Sequence, residues 1–261
     1  MIESLHSPHV ARVKALIGSK GAKERREQGL FVAEGVQCAR EALASQQGPE
    51  LKLLYATQMG LSKISELSLD SVEVVEVSEA VMKAMSDTVS PQGLISLCYK
   101  PDLEISELKA TGDSRFIYLH EIQDPGNAGT ILRTADAMGI SAVITSPESV
   151  DMCSPKVVRA TAGSLWNMPI YEGISFDRVA HQFPGAQKIL LSSHAKTSIL
   201  ELSIPGDCIA IFGNEARGVT AAALGTSVTE VTIPMAGRAE SLNLSAAASI
   251  VMFTLSSKVA G

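Results

Sequence analysis

The second half of this 261-residue chain alternates short apolar segments with helical segments, and this alternation most constrains the fold. The segment 208–212, Cys-Ile-Ala-Ile-Phe, is apolar at every position, as expected of a strand that is buried on both faces. Repeated strands of this kind predict an α/β domain with a mostly parallel sheet between layers of helices. Because ligands of such sheets bind beyond the carboxyl ends of the strands, we expect a functional site there. The elements predicted in this half are 115–120, 128–138, 142–145, 155–162, 188–192, 208–212, 228–233 and 242–256.

Residues 1–100 predict a second, smaller α/β domain. A helix is indicated at 8–17, because its apolar residues share one helical face. Residues 18–29 form a polar stretch for which we predict no element. Residues 101–113 carry Pro and Gly among polar residues, and we predict that they link the first domain to a domain at 114–261. The first domain is further expected to contain strands at 30–34, 51–56, 72–77 and 93–99 and helices at 36–44 and 79–86.

The composition indicates a protein of the cytoplasm. No apolar run approaches the ~20 residues that span a bilayer, and the start, Met-Ile-Glu-Ser, lacks a basic-then-apolar signal. We therefore expect no membrane association. The cysteines lie far apart, which argues against a zinc site and against a disulfide framework, so we predict no metal and a reducing environment. They are Cys38, Cys98, Cys153 and Cys208.

Positive charge is concentrated near the amino terminus, although the formal net charge of the chain is −6. Between His6 and Arg26, six basic residues stand against the single acid Glu24, which gives a local charge of +5. A basic segment on an acidic body suits the binding of nucleic-acid phosphates. A solvated helix and loop would have the same composition. The candidate RNA-binding residues are Arg12, Lys14, Lys20, Lys23, Arg25 and Arg26.

Three polar segments follow predicted strands, and the first is 124–136, Asp-Pro-Gly-Asn-Ala-Gly-Thr-Ile-Leu-Arg-Thr-Ala-Asp. Its Asp-Pro-Gly start predicts a turn, and Asn127 is the expected N-cap of the helix that follows. Arg133 lies away from the apolar face of that helix. The pattern fits an ordinary capped helix with a solvated arginine. Taken alone, the segment favours that interpretation over a site in which the helix start and Arg133 hold an RNA phosphate or ribose.

The second polar segment is 211–218, Ile-Phe-Gly-Asn-Glu-Ala-Arg-Gly, and the third is 233–245, Ile-Pro-Met-Ala-Gly-Arg-Ala-Glu-Ser-Leu-Asn-Leu-Ser. The second ends a buried strand at Gly213, where the missing Cβ lets backbone approach a ligand closely. The third predicts a tight loop and then a final helix that Ser241 caps. That helix is apolar or small on all sides and is therefore expected to be buried. A buried Asn243 near its start needs hydrogen-bond partners.

In order, chemistry and spacing, these three segments closely resemble the motifs of the SpoU (TrmH-like) RNA 2'-O-ribose methyltransferases of the SPOUT superfamily. The segment 154–169 also resembles the family, with Trp166 expected in the core. The segment 31–35, Phe-Val-Ala-Glu-Gly, resembles the substrate-binding domain of the family, which is similar to ribosomal protein L30e. The resemblance implies an α/β fold in which a parallel-sheet SPOUT domain with a trefoil knot follows a smaller L30e-like domain. It also implies a homodimer that uses S-adenosylmethionine to methylate a ribose 2'-hydroxyl, with ribosomal RNA as the expected substrate.

The resemblance implies roles for individual residues as well. Arg133 matches an arginine that is thought to activate the 2'-hydroxyl. Because a guanidinium is a poor base, its action as a base and its action as an electrostatic stabiliser are both open at this point. The expected catalytic residues are Asn127, Arg133, Glu215, Ser241 and Asn243. The residues expected to contact the cofactor are Ser193, Gly213, Asn214, Gly218, Ile233, Met235 and Leu242.

Three other functions compete with this prediction. Transfer RNA is the main rival substrate, and the full amino-terminal domain favours ribosomal RNA by analogy only. A catalytically silent RNA-binding or ribosome-assembly protein would have the same fold, but the intact motif residues argue against it. A doubly wound oxidoreductase is disfavoured because the chain has no GxGxxG fingerprint at the second polar segment.

Overall fold

The computed structural model describes residues 1–239 and 241–257. Glu240 of the third polar segment and residues 258–261, which we assigned to the second domain, lie outside the described residues. Within the described part of the chain, no helix is both long enough and apolar enough to cross a membrane.

The chain divides into two compact units. The first comprises Met1–Pro101 and Asp151–Asn167, and the second comprises Asp102–Val150 and Met168–Gly261. The sequence analysis assigned 151–167 to the second domain, whereas the structure groups these residues with the first unit. Residues 102–113 of the predicted linker belong to the second unit, and Ile105 among them is buried in the core of that unit.

The elements follow one another in chain order. The helices are α1 Pro8–Ile17, α2 Gly21–Gln28, α3 Val36–Ala44, α4 Gln58–Ser62, α5 Glu79–Met85, α6 Pro125–Ala137, α7 Pro155–Thr161, α8 Phe176–Gln182, α9 Ala221–Leu224 and α10 Leu244–Ser257. The strands are β1 Leu30–Glu34, β2 Leu51–Ala56, β3 Val74–Glu76, β4 Leu94–Tyr99, β5 Arg115–Leu119, β6 Ala142–Thr145, β7 Ile170–Tyr171, β8 Gln187–Leu191, β9 Cys208–Phe212 and β10 Thr229–Val231. Short 3-10 helices occur at Ile105–Glu107 and Ser164–Trp166.

The first unit contains a mixed sheet in the order β1-β4-β2-β3. Strand β4 is antiparallel to both β1 and β2, while β3 is parallel to β2. Helix α1 has the predicted bounds, because Ser7 accepts a hydrogen bond from the backbone N–H of His9 and so caps the helix. Its Val10, Val13 and Leu16 recur every three residues, and all three are buried in the core of the unit.

Helix α2 lies in the stretch for which the sequence predicted no element. This helix has no apolar stripe, so hydrophobic periodicity could not indicate it. Most of its residues are charged or carry long unbranched side chains, which lose little rotamer freedom in a helix. Gly29 ends the helix in the left-handed conformation, with φ of 62°.

Residues 151–167 are joined to the first unit by side-chain bonds. Arg25 Nε donates to Asp151 Oδ2 at 2.7 Å, and Arg159 pairs with Asp87 at 2.7 Å. The indole N–H of Trp166 donates to the carbonyl of Pro49 at 3.1 Å. Trp166 is buried, as predicted for a core residue.

In the described residues, the second unit contains a parallel six-stranded sheet in the order β10-β8-β9-β5-β6-β7. This sheet confirms the predicted fold class. After β5, the next strand along the chain is β6, which lies beside β5. After β9, the next strand is β10, which lies in the opposite direction across the sheet, on the far side of β8. The carboxyl ends of β5 and β9 therefore form a switch point, where sheets of this kind bind ligands. The trefoil knot, which strand order alone does not define, stays a prediction.

The core of the second unit packs aromatic side chains on the sheet. The rings of Phe116 and Phe183 stack at 4.6 Å, and those of Tyr118 and Phe176 lie edge to face at 4.9 Å. Helix α10 departs from its prediction, because it is not buried on all sides. Phe253 is 63% exposed.

Candidate active site

The three polar segments line one cleft of about 850 Å³ in the second unit. It lies beyond the carboxyl ends of β8 and β9, and the segment after β5 contributes Asn127. Arg133 is not among the residues that line it. The predicted site residues in its lining are Asn127, Ser193, Gly213, Asn214, Glu215, Gly218, Ile233, Met235, Ser241, Leu242 and Asn243.

The carboxylate of Glu215 joins the second polar segment to the first. Its Oε1 accepts hydrogen bonds from the backbone N–H of Asp124 at 3.0 Å and from Asn127 Nδ2 at 3.3 Å. Its Oε2 accepts from the backbone N–H of Gln123 at 3.2 Å. With both oxygens engaged, Glu215 holds the turn before α6 in place. The geometry favours a positioning role for this carboxylate over a role as a free base.

A second bond joins the first polar segment to the third. Asn243 Nδ2 donates to Asn127 Oδ1 at 3.0 Å. Asn243 Oδ1 accepts from the backbone N–H of Ser245 at 2.9 Å, from its hydroxyl at 2.6 Å, and from the N–H of Ala246 at 3.3 Å. Since a side-chain amide has two N–H donors, Asn127 and Asn243 each keep one N–H beyond these bonds. Both residues line the cleft, so each remaining N–H is a candidate donor to a ligand oxygen.

Both predicted helix caps at the site were wrong. Asp124, and not Asn127, caps α6 by accepting from the N–H of Asn127 at 2.7 Å, because Pro125 takes the first helical position. Asn243, and not Ser241, caps α10. Ser241 is exposed, and its hydroxyl makes no hydrogen bond with the described residues. Its place in the cleft leaves that hydroxyl available to a ligand.

Gly213 lines the cleft, where its contact with the cofactor stays a prediction, and its missing side chain also has a structural reason. A Cβ added here would lie 2.4 Å from the carbonyl carbon of Gly218 and 2.4 Å from the nitrogen of Val219. The missing side chain therefore makes room for the return of the chain itself. This close approach sets the shape of the loop that lines the cleft.

The loop after Gly213 is held by Asn214, which is buried. Asn214 Oδ1 accepts from the backbone N–H of Ala216 at 3.0 Å and of Arg217 at 3.1 Å. Its Nδ2 donates to the carbonyl of Glu121 at 2.9 Å. The loop closes where the N–H of Gly218 donates to the carbonyl of Asn214 at 2.8 Å. Asn214 thus supports the cleft from within.

Arg133 lies on an exposed face of α6, six residues after Asn127. This separation corresponds to about 9 Å along the helix axis. Within the described residues, its guanidinium makes no hydrogen bond and no ion pair. Its catalytic role stays a prediction.

The basic residues of the first unit divide into two groups. Arg25 is only 4% exposed, and its guanidinium also donates to the carbonyl of Leu16 besides Asp151. Burial and the ion pair with Asp151 argue against the predicted contact of Arg25 with RNA. The other five candidates, Arg12, Lys14, Lys20, Lys23 and Arg26, are exposed.

The sequence analysis missed some residues that line the cleft, including Leu190, Phe212 and Thr220. Leu190 and Phe212 belong to the buried strands β8 and β9, whose apolar residues look alike in sequence. The signal that could have identified them as lining residues is their position near the carboxyl ends of these strands.

Comparisons with known proteins agree with this geometry. Residues 114–253 match the SpoU rRNA methylase family, and residues 9–96 match an MRM3-like substrate-binding domain. An uncharacterised tRNA/rRNA methyltransferase of Synechocystis is 31% identical over 97% of this chain and 92% of its own length. A 23S rRNA (guanosine(2553)-2'-O)-methyltransferase of Bacillus subtilis is 28% identical over 89% of this chain and 91% of its own. An AdoMet-bound rRNA methyltransferase structure from Sinorhizobium meliloti, 28% identical, superposes with a TM-score of 0.85 over 97% of this chain and 96% of that one.

The family model covers more than half of the chain, and a relative above 30% identity spans almost all of it. This chain therefore belongs to the SpoU rRNA methylase family. The resemblance of the three polar segments is confirmed, as is that of the amino-terminal substrate-binding domain.

Proposed function

We propose that this protein transfers a methyl group from S-adenosylmethionine to a ribose 2'-hydroxyl of ribosomal RNA. The observation that carries the proposal is the hydrogen-bonded series Glu215–Asn127–Asn243 in the cleft, which leaves two amide N–H groups for substrate oxygens. The names of the Bacillus and Sinorhizobium relatives support the reaction, the RNA and the cofactor.

The cleft fits S-adenosylmethionine in size and in chemistry. Its volume of about 850 Å³ lies in the range of sites for small molecules and cofactors. Ile233, Met235 and Leu242 supply apolar contacts suited to an adenosine, and the loop from Gly213 to Gly218 supplies backbone polar groups. Ser193 adds a hydroxyl. When bound, the cofactor supplies an electrophilic methyl group.

The residues of this chain act on the ribose that accepts the methyl group. As its 2'-oxygen forms a bond to the methyl carbon, the bond from that carbon to sulfur breaks and S-adenosylhomocysteine leaves. The hydroxyl proton passes to solvent water, and negative charge develops on the oxygen as the proton departs ahead of methyl transfer. The free N–H groups of Asn127 and Asn243 are placed to stabilise that charge, and the hydroxyl of Ser241 can orient the sugar. Glu215 holds the turn that carries Asn127. We assign Arg133 to electrostatic stabilisation or phosphate anchoring, because a guanidinium group is a poor base.

The exposed basic residues of α1 and α2 are the proposed RNA-binding surface of the first unit. Arg12 and Lys14 lie on α1, while Lys20, Lys23 and Arg26 lie just before or on α2. Lys23 pairs with Glu27 at 3.6 Å, with both side chains exposed, so this weak pair leaves Lys23 available to phosphates.

We propose that the protein acts as a homodimer. Ile250 and Phe253 lie three residues apart on α10, and they are 39% and 63% exposed. An apolar helix face of this kind is typical of an interface between subunits. A second copy of the chain would cover it, and would also provide groups beyond this unit for Arg133.

We place the activity in the cytoplasm. Burial raises the pKa of the Cys38 and Cys208 thiols to about 11, so both are protonated and unreactive at neutral pH. Burial also raises the pKa of Cys98. Buried, unreactive thiols suit a reducing compartment.

The test is transfer of labelled methyl from S-adenosylmethionine to unmethylated ribosomal RNA and, separately, to bulk transfer RNA. We expect label in ribosomal RNA, and we expect one phosphodiester bond of that RNA to resist alkaline cleavage. A 2'-O-methyl group blocks cleavage of the bond next to it. Label only in transfer RNA would replace the substrate and keep the chemistry. Label only in ribosomal particles would restrict the substrate to an assembled form. No label and no cofactor binding would overturn the proposal in favour of a silent RNA-binding protein.

A further inference from the structure

Arg217 and Glu121 form an ion pair at the cleft that the reaction described above does not use. Arg217 Nη2 lies 2.6 Å from Glu121 Oε2. The side chain of Arg217 is 73% exposed, and Arg217 lines the cleft. Within the described residues, Nε and Nη1 of this guanidinium have no hydrogen-bond acceptor. The ion pair therefore uses one nitrogen of the Arg217 guanidinium, which has several N–H donors.

The Glu121 end of the pair is fixed by its backbone. Glu121 has φ of 52°, a left-handed conformation that is uncommon for a residue with a side chain. Its N–H donates to Ser146 Oγ at 2.7 Å, and its carbonyl accepts from Asn214 Nδ2 at 2.9 Å. These bonds tie Glu121 to the ends of the two strands beside β5. The carboxylate is thus aimed at Arg217 by a conformation that costs free energy.

The Arg217 end is fixed by the loop of the second polar segment. The backbone N–H of Arg217 donates to Asn214 Oδ1 at 3.1 Å. Two residues earlier, Glu215 holds the turn that carries Asn127. The guanidinium is therefore attached at a fixed place beside the amide donors, while its long side chain is free to change partner.

We propose that Arg217 binds a phosphate of the substrate RNA next to the reacting ribose, and that Glu121 occupies the guanidinium until RNA arrives. This inference rests on the proposed function, since it assigns Arg217 to positioning of the same substrate. A guanidinium binds phosphate through two parallel hydrogen bonds, which its single bond to Glu121 does not provide. Because the Arg217 side chain is 73% exposed, solvent screens its pair with Glu121, whose side chain is 31% exposed, and two bonds to a phosphate can replace the single bond to the carboxylate. The carboxylate also repels phosphates whenever Arg217 is turned away.

The test compares Arg217→Ala and Glu121→Gln with the wild-type enzyme. For Arg217→Ala we expect the KM for RNA to rise roughly tenfold, with the Kd for S-adenosylmethionine within about twofold of wild type. RNA affinity measured without turnover should also depend less on salt, with the slope of log K against log[salt] reduced by about 1. Glu121→Gln removes the competing charge and should lower the KM for RNA several-fold.

Arg178→Ala is the matched control. Arg178 is an exposed arginine of the same unit, pairs with Glu104 at 3.7 Å and does not line the cleft. Three results would each overturn the assignment. Arg178→Ala could change the KM for RNA and the salt slope as much as Arg217→Ala does. Arg217→Ala could leave both quantities unchanged, or it could raise only the Kd for S-adenosylmethionine. If the wild-type protein methylates no RNA but Arg217→Ala still lowers the salt slope of RNA binding, the proposed function fails while the RNA contact stands.

Discussion

Asn243 Nδ2 donates a hydrogen bond of 3.0 Å to Asn127 Oδ1 across 116 residues of sequence. The bond connects the N-cap of α10 to the first turn of α6. Further along the same two helices, the hydroxyls of Thr134 and Ser249 lie 3.3 Å apart. The donors of the cleft are therefore carried by two packed helices, which hold functional groups more accurately than loops do.

The pair of asparagines should act as a unit. We expect Asn127→Ala and Asn243→Ser each to lower kcat roughly 10²-fold, the effect of removing one donor to a developing oxyanion. Serine at 243 keeps the helix cap, so the loss is confined to the amide. The double variant should lose less than the product of the single losses, because the residues share a bond. Strictly multiplicative losses of kcat would contradict this coupling, and Ser249→Ala serves as a control outside the cleft.

Arg133→Ala should lower kcat by roughly 10²-fold or more, because it removes a charge that stabilises the transition state. Arg133→Lys distinguishes the two possible roles. If the positive charge matters, lysine restores part of the activity. If the arginine acts as a base, lysine shifts the pH profile of kcat toward its own pKa. Arg178→Ala is again the control, and unchanged turnover in Arg133→Ala would exclude Arg133 from the reaction.

Gly213→Ala should disturb the cleft while Gly237→Ala does not. The added methyl group at 213 would lie 2.4 Å from the backbone of Gly218 and Val219, whereas a methyl group at 237 would have open space around it among the described residues. Overpacking against backbone typically lowers the free energy of unfolding by about 1–3 kcal/mol. Calorimetry should show weaker S-adenosylmethionine binding for the first variant only. Equal cofactor affinity in the two variants would contradict this role of Gly213.

Local signals in the sequence were sufficient for most of the elements. Helix α1 was predicted with its observed bounds from its apolar stripe, and the structure adds a cap at Ser7 and a proline in the first helical turn. Strands such as β9 were predicted because apolar runs between turn residues are distinctive. Helix α2 has no apolar stripe and β7 has only two residues, so neither produces a periodic pattern.

Side-chain partners over long sequence distances were not predictable. Arg25 looked like its basic neighbours, and only the fold brings Asp151 to it from 126 residues away. The strand-end rule correctly grouped the three polar segments. It could not choose a cap among several polar residues within one turn, so Asn127 and Ser241 were chosen in place of Asp124 and Asn243.

The buried position of Arg25 predicts a large effect on stability. Arg25→Ala leaves the Asp151 carboxylate without its cation, and loss of one partner of a buried ion pair costs about 3–5 kcal/mol. Lys23→Ala removes an exposed pair from the same helix and should change stability by less than about 1 kcal/mol. Urea unfolding followed by the fluorescence of Trp166, the only tryptophan of the chain, reports on this unit. Similar midpoints for the two variants would contradict the burial of Arg25.

If the exposed face of α10 is the proposed dimer interface, one charged residue introduced there should convert the dimer to a monomer. Phe253→Glu would place a carboxylate in an apolar interface, where it has no partner and its desolvation is costly. Light scattering should give twice the mass of the 27.5 kDa chain for the wild-type protein and the mass of one chain for the variant. Val89→Glu, at a position that is 94% exposed in the first unit, should leave the mass unchanged. A monomeric wild-type protein, or a variant that stays dimeric, would show that this face is not the interface.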